Sequence, residues 1–98
     1  MKIEIDTHSH TLASGHAYNT IKEMASAAAE KGLTGLAITE HAVQMPGTCH
    51  IYYFQNLRVV PRQMCGIELL MGTELNILNE EGEVDLSQEI LGELDIAI

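Results

Sequence analysis

The sequence predicts an α/β protein built on parallel β-strands, and three observations lead to this fold class. Two segments of strand length, residues 2–6 and 33–39, lie on either side of a capped helix over residues 21–31. Because both connections are short, the three elements form one βαβ unit with parallel strands and a right-handed crossover. A further apolar segment, residues 66–73, continues the pattern with a third strand.

The helix has the clearest sequence signals. Thr20 followed by Glu23 is a capping box, in which each side chain accepts a hydrogen bond from the backbone of the other residue. Gly32 is a natural C-terminal stop. Apolar residues recur between these ends at helical spacing, namely Ile21, Met24, Ala25, Ala28 and Ala29.

The remaining segments have weaker signals. Residues 51–62 predict a helix that ends near Pro61, and residues 75–85 predict a short hairpin. Residues 87–91 predict a short helix capped by the serine at its start. Residues 94–98 predict a fourth strand.

Composition narrows the class of function. The 98 residues fit one small domain or a part of a larger one, and their net charge of −9 with only five Lys and Arg disfavours binding to nucleic acid. We expect no signal peptide, because charged residues follow Met1 within a few positions, and no apolar segment of the sequence reaches membrane-spanning length. Cys49 and Cys65 are isolated cysteines, which we interpret as reduced thiols of a cytoplasmic protein.

Metal-binding residue types follow three successive predicted strands. His8 and His10 come after the first strand, His41 after the second and Glu74 after the third, while His16 lies in the first βα loop. The carboxyl ends of parallel strands meet at one edge, where α/β proteins place their chemistry. Each residue alone could be an ordinary loop or strand-end residue. As a set, they predict a metal site at this edge.

The donor types also indicate which metals and which chemistry to expect. Histidine and carboxylate ligands together suit Zn or Mn, with Fe also possible, better than Mg or Ca. A shared carboxylate can bridge two ions, and paired ions can activate water and stabilise both oxygens of a displacement. The residues therefore predict a multinuclear metal hydrolase, without naming its substrate.

Three further residues are candidates for a role near this site. His50 is either a site residue or a residue at a helix start. Arg58 and Arg62 are the only arginines and could bind a substrate phosphate, because guanidinium groups match phosphate oxygens well. They could equally be exposed helix residues that pair with nearby acids.

Three motifs resemble those of the PHP (polymerase and histidinol phosphatase) family. The sequence Asp-Thr-His-Ser-His at residues 6–10, followed by Ser-Gly-His-Ala-Tyr at 14–18, resembles the opening motif of that family. Ala-Ile-Thr-Glu-His at 37–41 and Gly-Thr-Glu at 72–74 resemble its second and third motifs. Asn-Leu-Arg-Val-Val-Pro-Arg at 56–62 is similar to the subgroup of small stand-alone PHP phosphatases.

The resemblance implies a distorted seven-stranded β/α barrel that hydrolyses phosphoesters with metal-bound water and holds up to three divalent ions. His8 and His10 would bind the first ion, and Glu74 would bridge the first and the second. His16 and His41 would bind a third. Glu40 stands where many members of the family have aspartate.

The resemblance also implies that residues 1–98 form the N-terminal part of a single PHP domain, because the family's later histidine and aspartate motifs do not occur in them. We therefore expect little phosphatase activity on a phosphorylated small molecule from this chain alone. We also expect self-association or association with the missing C-terminal part, through unpaired strand edges. Alternative interpretations are a hydrolase of the nuclease or amidohydrolase-like type and a catalytically inactive metal-binding fragment.

Overall fold

The computed structural model describes residues 1–98, which form five strands and three α-helices. The strands are β1 (Ile5–Asp6), β2 (Gly35–His41), β3 (Gln63–Met64), β4 (Ile67–Glu74) and β5 (Ile96–Ala97). The helices are α1 (Ile21–Glu30), α2 (Ile51–Gln55) and α3 (Gln88–Leu91), and 3-10 turns cover Leu12–Ser14 and Leu57–Val59. None of the helices has the length and apolar character that crossing a lipid bilayer requires.

The five strands form one sheet in the order β1-β2-β4-β3, and β5 also pairs with β4. The pairs β1–β2, β2–β4 and β4–β5 are parallel, and only β3 runs antiparallel to its neighbour. The sheet is curled, with helices in the connections, and has the form of the N-terminal part of a β/α barrel. The predicted α/β fold with parallel strands is therefore confirmed.

The predicted capping box of α1 is present. The Thr20 Oγ1 atom accepts a hydrogen bond from the Glu23 N–H at 3.2 Å, and Glu23 Oε1 accepts one from the Thr20 N–H at 3.0 Å. The helix ends at Glu30, one residue before the predicted end, and Gly32 follows with a φ of 82°. That left-handed conformation is one that glycine adopts without steric cost, so the chain can turn back toward β2.

The core lies between the helices and the two long central strands. Every residue of β2 is buried, as expected for a parallel strand that is covered on both faces. The core is small, since only 22 of the 98 residues are buried. One apolar cluster of 12 buried residues includes Ala25 and Ala28 of α1, Ile38 of β2 and Met71 of β4.

The outer strands are shorter than predicted. The first was predicted over residues 2–6, but β1 contains only two residues because β2 is its sole neighbour and begins opposite Ile5. The fourth was predicted over residues 94–98, and β5 likewise has two residues. The second strand runs two residues beyond its predicted end, because Glu40 and His41 stay in register with β4.

The short strand β3 was not predicted. It forms a hairpin with β4 across Cys65 and Gly66, which have φ values of 55° and 80°. Such a two-residue turn with two positive φ angles usually carries Asn-Gly, and cysteine at the first position gives no recognisable signal. The hairpin expected over residues 75–85 is reduced to a single bridge between Ile77 and Val84.

Candidate metal centre

The five predicted metal-binding side chains gather at the carboxyl edge of the parallel strands. His41 and Glu74 are the last residues of β2 and β4 and lie directly opposite each other in the register. His8 and His10 follow β1, and His16 follows the 3-10 turn at Leu12–Ser14. The five side chains therefore share one edge of the sheet, and their role as metal ligands stays a prediction.

Three of the side chains form a compact donor cluster. The Glu74 Oε2 atom lies 2.9 Å from His8 Nε2 and 3.0 Å from His10 Nε2, and the two histidine nitrogens lie 3.2 Å apart. Neighbouring ligands of a tetrahedral Zn²⁺ with bonds of 2.0–2.1 Å lie about 3.3 Å apart. We call His8, His10 and Glu74 the three-donor cluster. The separations and the chemistry of its donor atoms fit one divalent ion.

The other two histidines form a pair beside this cluster. His41 Nε2 lies 3.0 Å from His16 Nε2, and His41 Nδ1 lies 3.4 Å from Glu74 Oε2. The His41 ring stacks on the His10 ring, with centroids 4.4 Å apart and planes 12° from parallel. His41 thus connects the three-donor cluster to a two-nitrogen site shared with His16.

Burial and neighbouring groups favour the protonation states that bind metal. Burial, together with the nearby His41, lowers the pKa of His10, so its imidazole is held neutral. Burial alone would raise the pKa of Glu74, but the hydrogen bond from His8 and the surrounding imidazoles hold it below its usual range. A neutral imidazole and an ionised carboxylate are the forms that act as ligands.

The segment after β1 is held by hydrogen bonds to β2, although strand pairing stops at Asp6. The Ser9 hydroxyl donates to the Ala37 carbonyl at 2.6 Å, and the Thr39 N–H donates to the Ser9 carbonyl at 2.8 Å. The Asp6 carboxylate accepts a hydrogen bond from the His8 N–H at 3.0 Å. These contacts, rather than a continuing strand, turn His8 and His10 toward Glu74.

Glu40 was absent from the predicted ligand set, and it lies at the centre of the network under this site. Its side chain is 0% exposed and accepts hydrogen bonds from the Thr11 N–H at 2.8 Å, the Ser14 hydroxyl at 2.8 Å and the Tyr53 hydroxyl at 3.3 Å. The Thr11 hydroxyl donates a fourth. The sequence signals were an acidic residue directly after an apolar strand and its place in the Ala-Ile-Thr-Glu-His motif, and neither indicates full burial.

The remaining candidates lie elsewhere. The Arg62 guanidinium donates to Asp95 Oδ2 at 2.6 Å and to two backbone carbonyls, and Arg58 lines a surface cavity with residues of α3, including Glu89. The structure brings neither arginine to the histidines, and their role toward substrate stays a prediction. His50 caps α2, since its Nδ1 accepts a hydrogen bond from the Tyr52 N–H at 3.1 Å.

The histidine and glutamate arrangement agrees with a comparison with known protein families. The model of the family described as "PHP domain" matches residues 6–95, nearly the whole chain. The chain belongs to the PHP domain family. The predicted family resemblance is thereby confirmed.

Curated relatives of this PHP chain carry the name probable phosphatase. The chain is 51% identical over all 98 residues to one from Thermoanaerobacter sp. strain X514, of which it covers 40%. It is 52% identical to those of Caldanaerobacter subterraneus and Vibrio vulnificus strain YJ016, again over its full length and 39% of each relative. The chain therefore spans about 40% of the length of these relatives.

Proposed function

We propose that the PHP protein represented by this chain is a metal-dependent phosphoesterase that hydrolyses phosphomonoesters with metal-activated water. The observation that carries the proposal is the three-donor cluster, in which Glu74 Oε2 lies within 3.0 Å of two histidine nitrogens. The names of the similar proteins support phosphoester chemistry. In this proposal His8, His10, His16, His41 and Glu74 all contribute to a multinuclear site.

The chain's own residues would hold and orient the reacting groups. A divalent ion bound there, Zn or Mn in our proposal with Fe possible, supplies a Lewis acid that polarises phosphoryl oxygen and acidifies water. Glu74 places a negative charge between His8 and His10, which offsets part of the charge of a cation. His41 Nδ1 lies 3.4 Å from the same Oε2 atom, so Glu74 also lies beside the His16–His41 pair.

The chain alone should turn over substrate slowly. The five donors divide into a cluster of three and a pair, so a multinuclear site with up to three ions would depend on ligands from outside residues 1–98. We therefore propose that the chain supplies part of the site and that full activity needs the remainder of the protein.

The setting and the partners are also proposals. We propose a phosphorylated small molecule as substrate, no nucleic acid or membrane partner, and a cytoplasmic location. The net charge of −9 opposes binding to phosphate backbones, and Cys49 and Cys65 are both free thiols, as expected in a reducing compartment.

The function is tested by removing the carboxylate of the cluster. In the full-length protein, Glu74→Gln should weaken zinc affinity by more than about 100-fold. Loss of a residue that only hydrogen-bonds to a ligand already lowers metal affinity about 10- to 100-fold. Hydrolysis of p-nitrophenyl phosphate should fall in parallel. Metal content by mass spectrometry and steady-state kinetics measure the two effects.

The matched control is Glu68→Gln, an exposed glutamate at the other end of β4. It should leave zinc affinity and hydrolysis unchanged. Equal effects of the two substitutions, or zinc binding that survives Glu74→Gln, would contradict the assignment of the site.

A further inference from the structure

The buried carboxylate of Glu40 has no cationic partner at hydrogen-bond distance, although burying a charged group is costly. Its nearest histidine nitrogen is His10 Nδ1, 3.9 Å from Oε1, which is too far for a hydrogen bond. Hydroxyl and amide donors from Thr11, Ser14 and Tyr53 surround it instead. Such a placement requires a reason beyond packing, and the position of Ser14 supplies one.

The Ser14 hydroxyl, in a residue only 3% exposed, lies between three polar groups. Its Oγ is 2.8 Å from Glu40 Oε1, 3.0 Å from the His41 backbone nitrogen and 3.3 Å from His10 Nδ1. A hydroxyl has one proton to donate and two lone pairs with which to accept. A carboxylate can only accept and a backbone N–H can only donate. The Ser14 proton therefore goes to Glu40, and one lone pair goes to His41.

The remaining lone pair of Ser14 faces His10 Nδ1. An unprotonated Nδ1 would place two lone pairs against each other in a buried position, which is unfavourable because neither group is then satisfied. On the other side of the ring, Glu74 Oε2 lies 3.0 Å from His10 Nε2 and is a competing acceptor for the proton, but the His8 and Glu74 side chains there are 51% and 31% exposed, so water can solvate both groups. The contact of Nδ1 with Ser14 on the buried side therefore favours Nδ1 as the position of the single proton of neutral His10.

We propose that Glu40 is a positioning residue that acts through Ser14 to keep the proton of His10 on Nδ1. His10 Nε2, 3.0 Å from Glu74 Oε2, is then left with its lone pair directed at the three-donor cluster. Ligand histidines commonly need such a partner on their second nitrogen. The proposal rests on the proposed function in treating His10 as a ligand, but the location of the proton can be measured without metal.

A purely structural role for Glu40 is the competing explanation. Through its two bonds from Thr11, Glu40 also fixes the start of the 3-10 turn at Leu12–Ser14. If that were its whole contribution, substitutions at Glu40 and Ser14 would disturb the loop without moving the proton of His10. Nitrogen NMR of the histidine rings separates the two explanations.

The experiment uses the full-length protein labelled with ¹⁵N, first without metal and then titrated with zinc. The proposal expects metal-free His10 to carry its proton on Nδ1. In Ser14→Ala the proton should move toward Nε2, where Glu74 is the remaining acceptor, and zinc affinity should fall about 10- to 100-fold. Glu40→Gln should also move the His10 proton toward Nε2 and lower zinc affinity. An amide NH₂ facing Ser14 would donate to its Oγ, so the Ser14 hydroxyl proton could turn toward His10 Nδ1.

Two comparisons complete the test. Thr34→Val removes a hydroxyl just before β2, at the end away from the histidines, that donates to the Glu4 carbonyl, and it should leave the His10 proton in place. In the Ser14→Ala background, Glu40→Gln should add little further loss of zinc affinity, because the hydroxyl that connects Glu40 to His10 is already absent. Additive losses in the double variant would support loop anchoring and overturn the proposal.

A proton on Nε2 in the unmodified metal-free protein would overturn the proposal by itself, even if both variants failed to fold. Failure of the proposed function gives a different result. If the protein binds no zinc while His10 carries its proton on Nδ1, the metal assignment falls and the Glu40–Ser14–His10 arrangement stands.

Discussion

The central strands and the β1 edge contribute to the same site by opposite means. β2 and β4 share seven residue pairs in parallel register, and their last residues, His41 and Glu74, enter the site directly from the strands. β1 shares only two residue pairs with β2 and is exposed along its length. Yet the segment that follows it supplies His8 and His10.

This difference shows that strand length does not set the accuracy of a ligand's position. The segment after β1 is held by Ser9, which bonds to the backbone of β2, and by Thr11, which bonds to Glu40. These contacts are buried, so water does not compete with them. The exposed half of the site therefore takes its geometry from the buried half.

The largest effect should come from Gly72→Ala, which acts on the contact between the central strand β4 and the outer strand β5. A Cβ at position 72 would lie 2.1 Å from the Ile96 carbonyl oxygen, so β5 would have to move away. We expect a loss of about 3 kcal/mol or more in the free energy of unfolding, because the clash is with backbone atoms. Urea denaturation measures it.

Gly92→Ala is the matched control for that variant, because its added Cβ would meet only ordinary contacts, the nearest at 3.4 Å. Its stability should change far less. Zinc affinity should change less than stability in Gly72→Ala, since the register of β2 and β4 does not involve β5. Equal destabilisation by the two substitutions would show that the close approach of β5 is unimportant.

An intermediate effect should come from Asp85→Asn, which acts on the loops beyond the central strands. Asp85 accepts hydrogen bonds from the Gln44 N–H and from the backbone and side chain of Asn76. Burial alone would raise its pKa, but these bonds lower it below the ordinary value of 3.8. The stabilisation is therefore complete above that value and is lost as the pH falls through the lower pKa of the folded protein.

At neutral pH, Asp85→Asn should cost about 1–3 kcal/mol of unfolding free energy, because the amide cannot accept all of these bonds. The difference between the two proteins should shrink as the pH is lowered below 3.8, where the carboxylate of the unfolded chain becomes protonated. Unfolding curves measured from pH 7 to pH 2 test this. A difference that stays constant over the range would contradict the carboxylate interpretation.

The smallest effect should be on association at the β1 edge. β1 has a strand on one side only, and Ile3 just before it is 72% exposed. Because unpaired strand edges recruit further strands, we predict reversible self-association, which Ile3→Lys should weaken about tenfold, or about 1.4 kcal/mol. Sedimentation equilibrium measures it. Val59→Lys, at an exposed apolar residue outside the sheet, should leave association unchanged, and a monomer at all concentrations would refute the prediction.

Local signals explain which parts of the fold could be predicted. The capping box of α1 involves Thr20 and Glu23, three residues apart, so it can be recognised without knowing the fold. His41 and Glu74 could be assigned to strand ends because apolar segments of strand length precede them. Parallel pairing then placed both residues at one edge of the sheet.

The sequence by itself thus determined the parallel α/β class, the helix and the five side chains that meet at one edge. Tertiary structure alone decided the shortness of β1, the Cys65–Gly66 turn, the place of the arginines and the burial of Glu40. Each of these depends on contacts between distant residues, such as the bonds from Thr11, 29 residues away in the chain, to Glu40. Periodicity and spacing describe neighbours along the chain, and they contain no information about which distant donor will satisfy a buried charge.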